Sequence, residues 1–81
     1  MSMPPLYALR AFETAARLGS FSRAAASLNV TPGAVSRHVS GLESWFECRL
    51  FLRHGPKVTL TDAGYQLAKA LDQSFSSIER A

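Results

Sequence analysis

Gly33, Ser36, Arg37, Ser40 and Ser44 follow one another at steps of three, one, three and four residues. If the stretch is helical, they share one side of the helix. Small hydroxyl side chains and a single arginine serve no purpose in a core. Hydroxyls donate and accept hydrogen bonds, and a guanidinium offers a fork of donors that fits a guanine edge or a phosphate. Val35, Val39, Leu42 and Phe46 fall on the other side as an apolar stripe. Such a helix packs its back on a protein body and lays its polar side in the major groove of DNA.

The elements that position this helix are marked in the chain. Thr31 is a helix-capping residue and Pro32 suits the first helical position, so the helix is expected over 31–46. Glycines 33 and 41 weaken it by about 1 kcal/mol each relative to alanine, and close approach of a ligand to the backbone is one reason to keep them. Upstream, Pro4-Pro5 opens a first helix whose stripe is Leu6, Leu9, Phe12 and Ala16, closed by Gly19 as a left-handed cap. Ser22 is expected to cap a short second helix, with Phe21 just before it and Ala24, Ala25 and Ala26 keeping its surface slim. Asn29 tolerates a left-handed turn, and Val30 is expected to point inward. After Trp45-Phe46 the period changes: Arg49–Arg53 and Lys57–Leu60 read as two short strands around His54-Gly55-Pro56. Thr61 then caps a last helix, with Asp62 near its positive end. Its stripe of Gly64, Ala68, Leu71, Phe75 and Ile78 is spaced like a heptad seam. Leu71, Phe75 and Ile78 reach past what so small a body is expected to bury, and a helix from a second subunit is the expected cover. No stop signal precedes Ala81, which fits a fragment of a longer chain.

Composition narrows the function classes. Eighty-one residues, 47% hydrophobic, make one small domain of marginal stability. The net charge of +3 suits a polyanionic partner, and its placement is more telling. Between Ser20 and Leu60 stand Arg23, Arg37, Arg49, Arg53 and Lys57 against Glu43 and Glu47, while the tail is slightly acidic. One cysteine excludes an internal disulfide, and Cys48 with His38 and His54 lacks the paired spacing of a zinc site; Cys48 is expected to be a small packing residue. No apolar run approaches a membrane span and no signal peptide is visible, so a reducing cytoplasm is the expected setting. Ser36 and His38 lie two apart on a helix and do not face each other, and no carboxylate pair, phosphate loop or metal set accompanies them; an enzyme is not expected, nor a cofactor.

The chain resembles the N-terminal domain of LysR-type transcriptional regulators over nearly its whole length. The resemblance rests on Leu9-Arg10-Ala11-Phe12, Gly19-Ser20-Phe21-Ser22-Arg23-Ala24-Ala25, Ala34-Val35-Ser36-Arg37, Leu42-Glu43, Leu50-Phe51 with Arg53, and Leu60-Thr61-Asp62-Ala63-Gly64, in that order. It implies a mostly α fold: a winged helix-turn-helix with a three-helix core and a two-stranded wing over 1–60, then a linker and dimerisation helix over 61–81. It also implies a homodimer on an interrupted palindromic operator, with a tetramer open to the full-length protein. A small-molecule effector would be sensed by a C-terminal domain outside this chain. Many members carry Gln-Pro where this chain has Pro32-Gly33, and that glutamine often touches a base. Position 32 cannot make the contact here, so readout would rest on fewer side chains, with DNA shape filling in.

Each candidate has a plainer alternative. Arg37 reads a guanine edge or binds phosphate; otherwise it is a surface arginine paired with Glu43 or with nothing. Ser36 and Ser40 contact base or phosphate, or are surface serines. Ser22 and Thr31 are caps first, and their helix starts also attract phosphate. Arg23, poorly placed for the helix dipole, hints at a phosphate partner. Arg53 and Lys57 suit the minor groove or its flanking phosphates, or are solvated hairpin charges. His38 and His54 are ordinary polar residues or add phosphate contacts. Trp45, Phe46 and Phe51 are expected in the core rather than as stacking platforms. Two rival functions remain: a helical module binding an acidic protein, and a protein that coats DNA without choosing sequence.

Overall fold

The computed structural model describes residues 2–81. Four helices and one hairpin follow in the order α1 (Leu6–Leu18), α2 (Phe21–Leu28), α3 (Pro32–Phe46), β1 (Phe51–His54), β2 (Lys57–Leu60) and α4 (Asp62–Arg80). This is a winged helix-turn-helix with a long final helix. Pro5 occupies the cap of α1, and Gly19 at φ +67° ends it. Leu9, Phe12, Ala8, Ala11 and Ala15 form its buried face, whereas Leu6, at the helix's first position, stands clear of the body at 70% exposure. Leu6 is therefore not part of the core stripe.

The start of α2 differs from the sequence reading. Ser20, not Ser22, is the cap: its extended backbone leads into the helix and its Oγ accepts from the Arg23 amide at 3.1 Å. The left-handed Gly19 turns the chain so sharply that the next residue already caps, which makes Phe21 the first helical residue and leaves Ser22 exposed in the first turn. Asn29 closes α2 at φ +62°. Thr31 then caps α3, its Oγ1 accepting from the Ala34 amide at 3.1 Å.

The core sits where α1, α2 and α3 meet the hairpin. Val35, Val39 and Leu42 are buried against it, and Phe51 contacts Phe12 and Phe21 at ring-centroid distances of 5.2 and 5.3 Å. Aromatic rings at such offsets gain from quadrupole complementarity beyond their buried area. The expected core places of Trp45, Phe46 and Cys48 are not taken. Trp45 is 44% and Phe46 37% exposed, stacked edge-on against each other, and Cys48 is exposed. The left-handed Glu47 turns the chain at the end of α3, and Phe46 and Cys48 line an open cleft with Leu50, Ala63 and Leu67 rather than the closed core.

Glu43 and Thr61 tie the base of the hairpin to α3 and α4. Glu43 points away from Arg37: its Oε2 accepts from the Leu50 amide at 2.7 Å, from the Phe51 amide at 3.3 Å and from Arg49 Nε at 3.3 Å. Thr61 accepts from the Gly64 amide, donates to the Arg49 carbonyl at 2.7 Å, and bonds through its own amide to the Leu50 carbonyl. A Cβ on Gly64 would be driven into that Leu50 carbonyl oxygen, so only glycine lets α4 start this close to the strand.

The hairpin pairs Phe51 with Leu60, Leu52 with Thr59, Arg53 with Val58 and His54 with Lys57. Gly55, at φ +64°, takes the first place of the two-residue turn, and Pro56 the second. Further on, Leu71 is only 8% exposed and belongs to the core cluster, with Ala68 and Phe75 packed at its edge. The expectation that Leu71 reaches past the body is corrected: α4 folds back onto α1, which covers it. Ile78, about two turns beyond Leu71, is 69% exposed.

Candidate nucleic-acid interface

α3 presents its polar side between the start of α2 and the wing. Its buried stripe holds it from behind, which orients the other side outward. Ser22, Pro32, Gly33, Ser36, Arg53 and Pro56 line one open cleft at this surface. Arg37 lies along the first turn of α3: a Cβ added at Gly33 would sit 3.7 Å from its Nη1. Ser40 is exposed one turn farther on. Among the described residues the ion pairs are Glu13–Arg17 and Glu43–Arg49, so Arg37 has neither Glu43 nor another carboxylate as partner. An exposed guanidinium without a protein anion, on the side of a helix whose other polar groups are short, can reach a base edge or a phosphate.

The remaining candidates divide. Arg23 is exposed beside Ser22, and Lys57 is exposed on β2, outside the cleft lining. Thr31 spends its hydroxyl oxygen on the helix cap. His38 is half-buried with its ring edge-on to Tyr7 at 4.9 Å, which turns it toward the start of α1 and away from Ser36 and Arg53. His54 Nε2 and Thr59 Oγ1 lie 3.0 Å apart across the hairpin. Arg53 is committed within the protein: its Nη2 donates to Ser36 Oγ at 3.1 Å, and its guanidinium carbon lies 4.7 Å from the centre of the Phe21 ring. Sequence reasoning missed both this link and the Glu43 link. They join residues 6 to 17 positions apart that do not share an element, which no periodicity within one helix or strand reports.

Residues 6–65 match the profile of the bacterial regulatory helix-turn-helix protein, lysR family. The chain belongs to the LysR family. It is the winged helix-turn-helix DNA-binding domain of a transcription regulator and not an enzyme. It is 51% identical over 71 residues to the HTH-type transcriptional activator AmpR of Citrobacter freundii, covering 88% of this chain and 24% of AmpR. The chain thus spans about a quarter of the length of the curated relatives it matches. Oxidised OxyR of Corynebacterium glutamicum superposes with a TM-score of 0.87 at 29% identity, over 98% of this chain and 26% of OxyR. The BenM DNA-binding domain, solved in complex with catB site 1 DNA, superposes with a TM-score of 0.87 at 25% identity, over 94% of this chain and 84% of that one. No helix among the described residues of this LysR-family domain is long and apolar enough to cross a membrane.

Proposed function

We propose that this chain reads duplex DNA by sequence, with α3 in the major groove and the wing at the flanking minor groove or phosphates. The observation that carries the reading is the outward side of α3. Ser36, Arg37 and Ser40 lie on the side of α3 away from its buried stripe, beside a basic wing, and among the described residues Arg37 has no carboxylate partner. The likeness to a BenM domain solved on DNA supports it. Ser22, Thr31, Pro32 and Gly33 bring backbone and short side chains to the phosphates and groove edge, with Arg23, Lys57 and His38 adding charge or polarity at the flanks. No cofactor is needed, and the setting is the cytoplasm.

Two copies pair through residues 61–81, with Ala68, Phe75 and Ile78 at the seam and Leu71 supporting them from beneath. The support is the exposure of Ile78 and the half-exposed edge of Phe75 along a heptad-like spacing. A two-fold dimer implies an interrupted palindromic site, and a full-length protein adds a small-molecule effector and room for a tetramer. Hydroxyl-radical footprinting on a duplex enriched by this chain from a randomised pool tests the reading. Two protected segments related by a dyad are expected; uniform protection along the duplex refutes it. Ile78→Asp is expected to shift sedimentation from dimer to monomer with little change in melting, and an unchanged sedimentation profile removes the seam.

A further inference from the structure

We propose that Arg53 is a positioning residue: it locks the wing to the recognition helix and turns the Ser36 hydroxyl into a hydrogen-bond donor toward DNA. The inference rests on the sequence-reading function proposed above. Strand alternation puts Arg53 on the same face of the hairpin as Phe51, and the register pairs it with Val58; both neighbours are buried. Arg53 therefore stands on the inward face of the wing, unlike His54 and its partner Lys57. From there its guanidinium lies over the buried Phe21 ring at 4.7 Å and donates to Ser36 Oγ at 3.1 Å. One side chain thus touches three elements: β1, the first turn of α2 and the second turn of α3.

A planar cation resting on a ring face is held in orientation as well as in place, which a lysine ammonium does not reproduce. The hydrogen bond has a chemical consequence for Ser36. A hydroxyl that accepts from a cation keeps its proton for an outward partner, and polarisation makes that proton a better donor. Ser36 then prefers an acceptor in the groove: a purine N7, a guanine O6, a thymine O4 or a phosphate oxygen. The alternative is that Arg53 is a plain phosphate cation, and the two assignments differ in what substitution does.

The test uses the duplex enriched from a randomised pool by the wild-type chain and a scrambled copy of it. Ser36→Ala, Arg53→Lys, Arg53→Gln and the double variant Ser36→Ala with Arg53→Lys are titrated on both duplexes across a salt series. Arg53 and Ser36 both lie outside the core, and circular dichroism checks that each variant is folded. Arg53→Lys is expected to lose about tenfold on the enriched duplex and little on the scrambled one, and the double variant to be no worse than the poorer single variant. Arg53→Gln is expected to leave the salt slope unchanged. The inference is overturned if Arg53→Lys binds like wild type, if the losses of the two single variants multiply in the double, or if Arg53→Gln weakens both duplexes equally and lowers the salt slope by about one. If the wild-type chain enriches no sequence, the sequence-reading function fails first and the inference with it.

Discussion

α3 is fastened to the hairpin at both ends by different means. At its C-terminal end the Glu43 carboxylate accepts from two backbone amides, Leu50 and Phe51, on a side chain only 16% exposed. At its N-terminal end the fastening is a side-chain pair on an open cleft, Arg53 to Ser36. The first is a foundation: backbone bonded to a shielded charge is costly to disturb. The second lies in the cleft that faces the groove in the proposed reading, where an exposed arginine orients the part-buried Ser36 hydroxyl. The domain keeps its buttressing joint away from the reading surface and its orienting joint upon it.

Disturbing the foundation is expected to have the largest effect. Gly64→Ala drives a methyl group into the Leu50 carbonyl, next to the Glu43 joint, and should cost about 3 kcal/mol, lowering the melting temperature by roughly 15 °C. A melting temperature within a few degrees of wild type would show that α4 can shift away from the strand. Glu43→Ala leaves two part-buried amides without their acceptor and should cost about 2 kcal/mol by thermal or urea melting. If it melts like wild type, the joint is not a foundation and the contrast between the two ends collapses.

The reading surface should respond in the opposite way, through specificity with stability nearly intact. Arg37→Ala is expected to relax discrimination at one base pair by about 1–3 kcal/mol while melting as wild type does. An unchanged ratio between enriched and scrambled duplexes would remove its base-reading role. The smallest effect is expected at Gly41, where an added Cβ meets nothing within 4 Å. Gly41→Ala should stabilise the free domain by up to about 1 kcal/mol. A simultaneous loss of DNA affinity would show that the duplex approaches the helix backbone there; equal affinity would leave the glycine without a ligand-based reason.

The contrast also explains what the sequence disclosed. Local signals carried most of the fold. Thr31-Pro32 marked the start of α3, Gly19 and Asn29 marked left-handed ends, and alternation around Gly55-Pro56 marked the wing. The Ser20 cap was hidden by Ser22 two residues on, since either serine satisfies the local pattern and only the sharp turn at Gly19 selects between them. Trp45, Phe46 and Leu71 were misjudged because burial depends on which element crosses over a stripe, and periodicity reports a face without its cover. The outward residues of α3 were legible from their spacing. The joints made by Glu43 and Arg53 were not, because a charged side chain reaching across to another element leaves no period.

The central claim is that the outward side of α3 reads bases while the rest of the surface grips the backbone. The most direct test is the affinity of the wild-type chain for its enriched duplex and for the scrambled copy, measured across a salt series. A preference of about a thousandfold for the enriched duplex is expected, maintained as rising salt weakens binding to both. Equal affinities for the two duplexes at every salt concentration would contradict it.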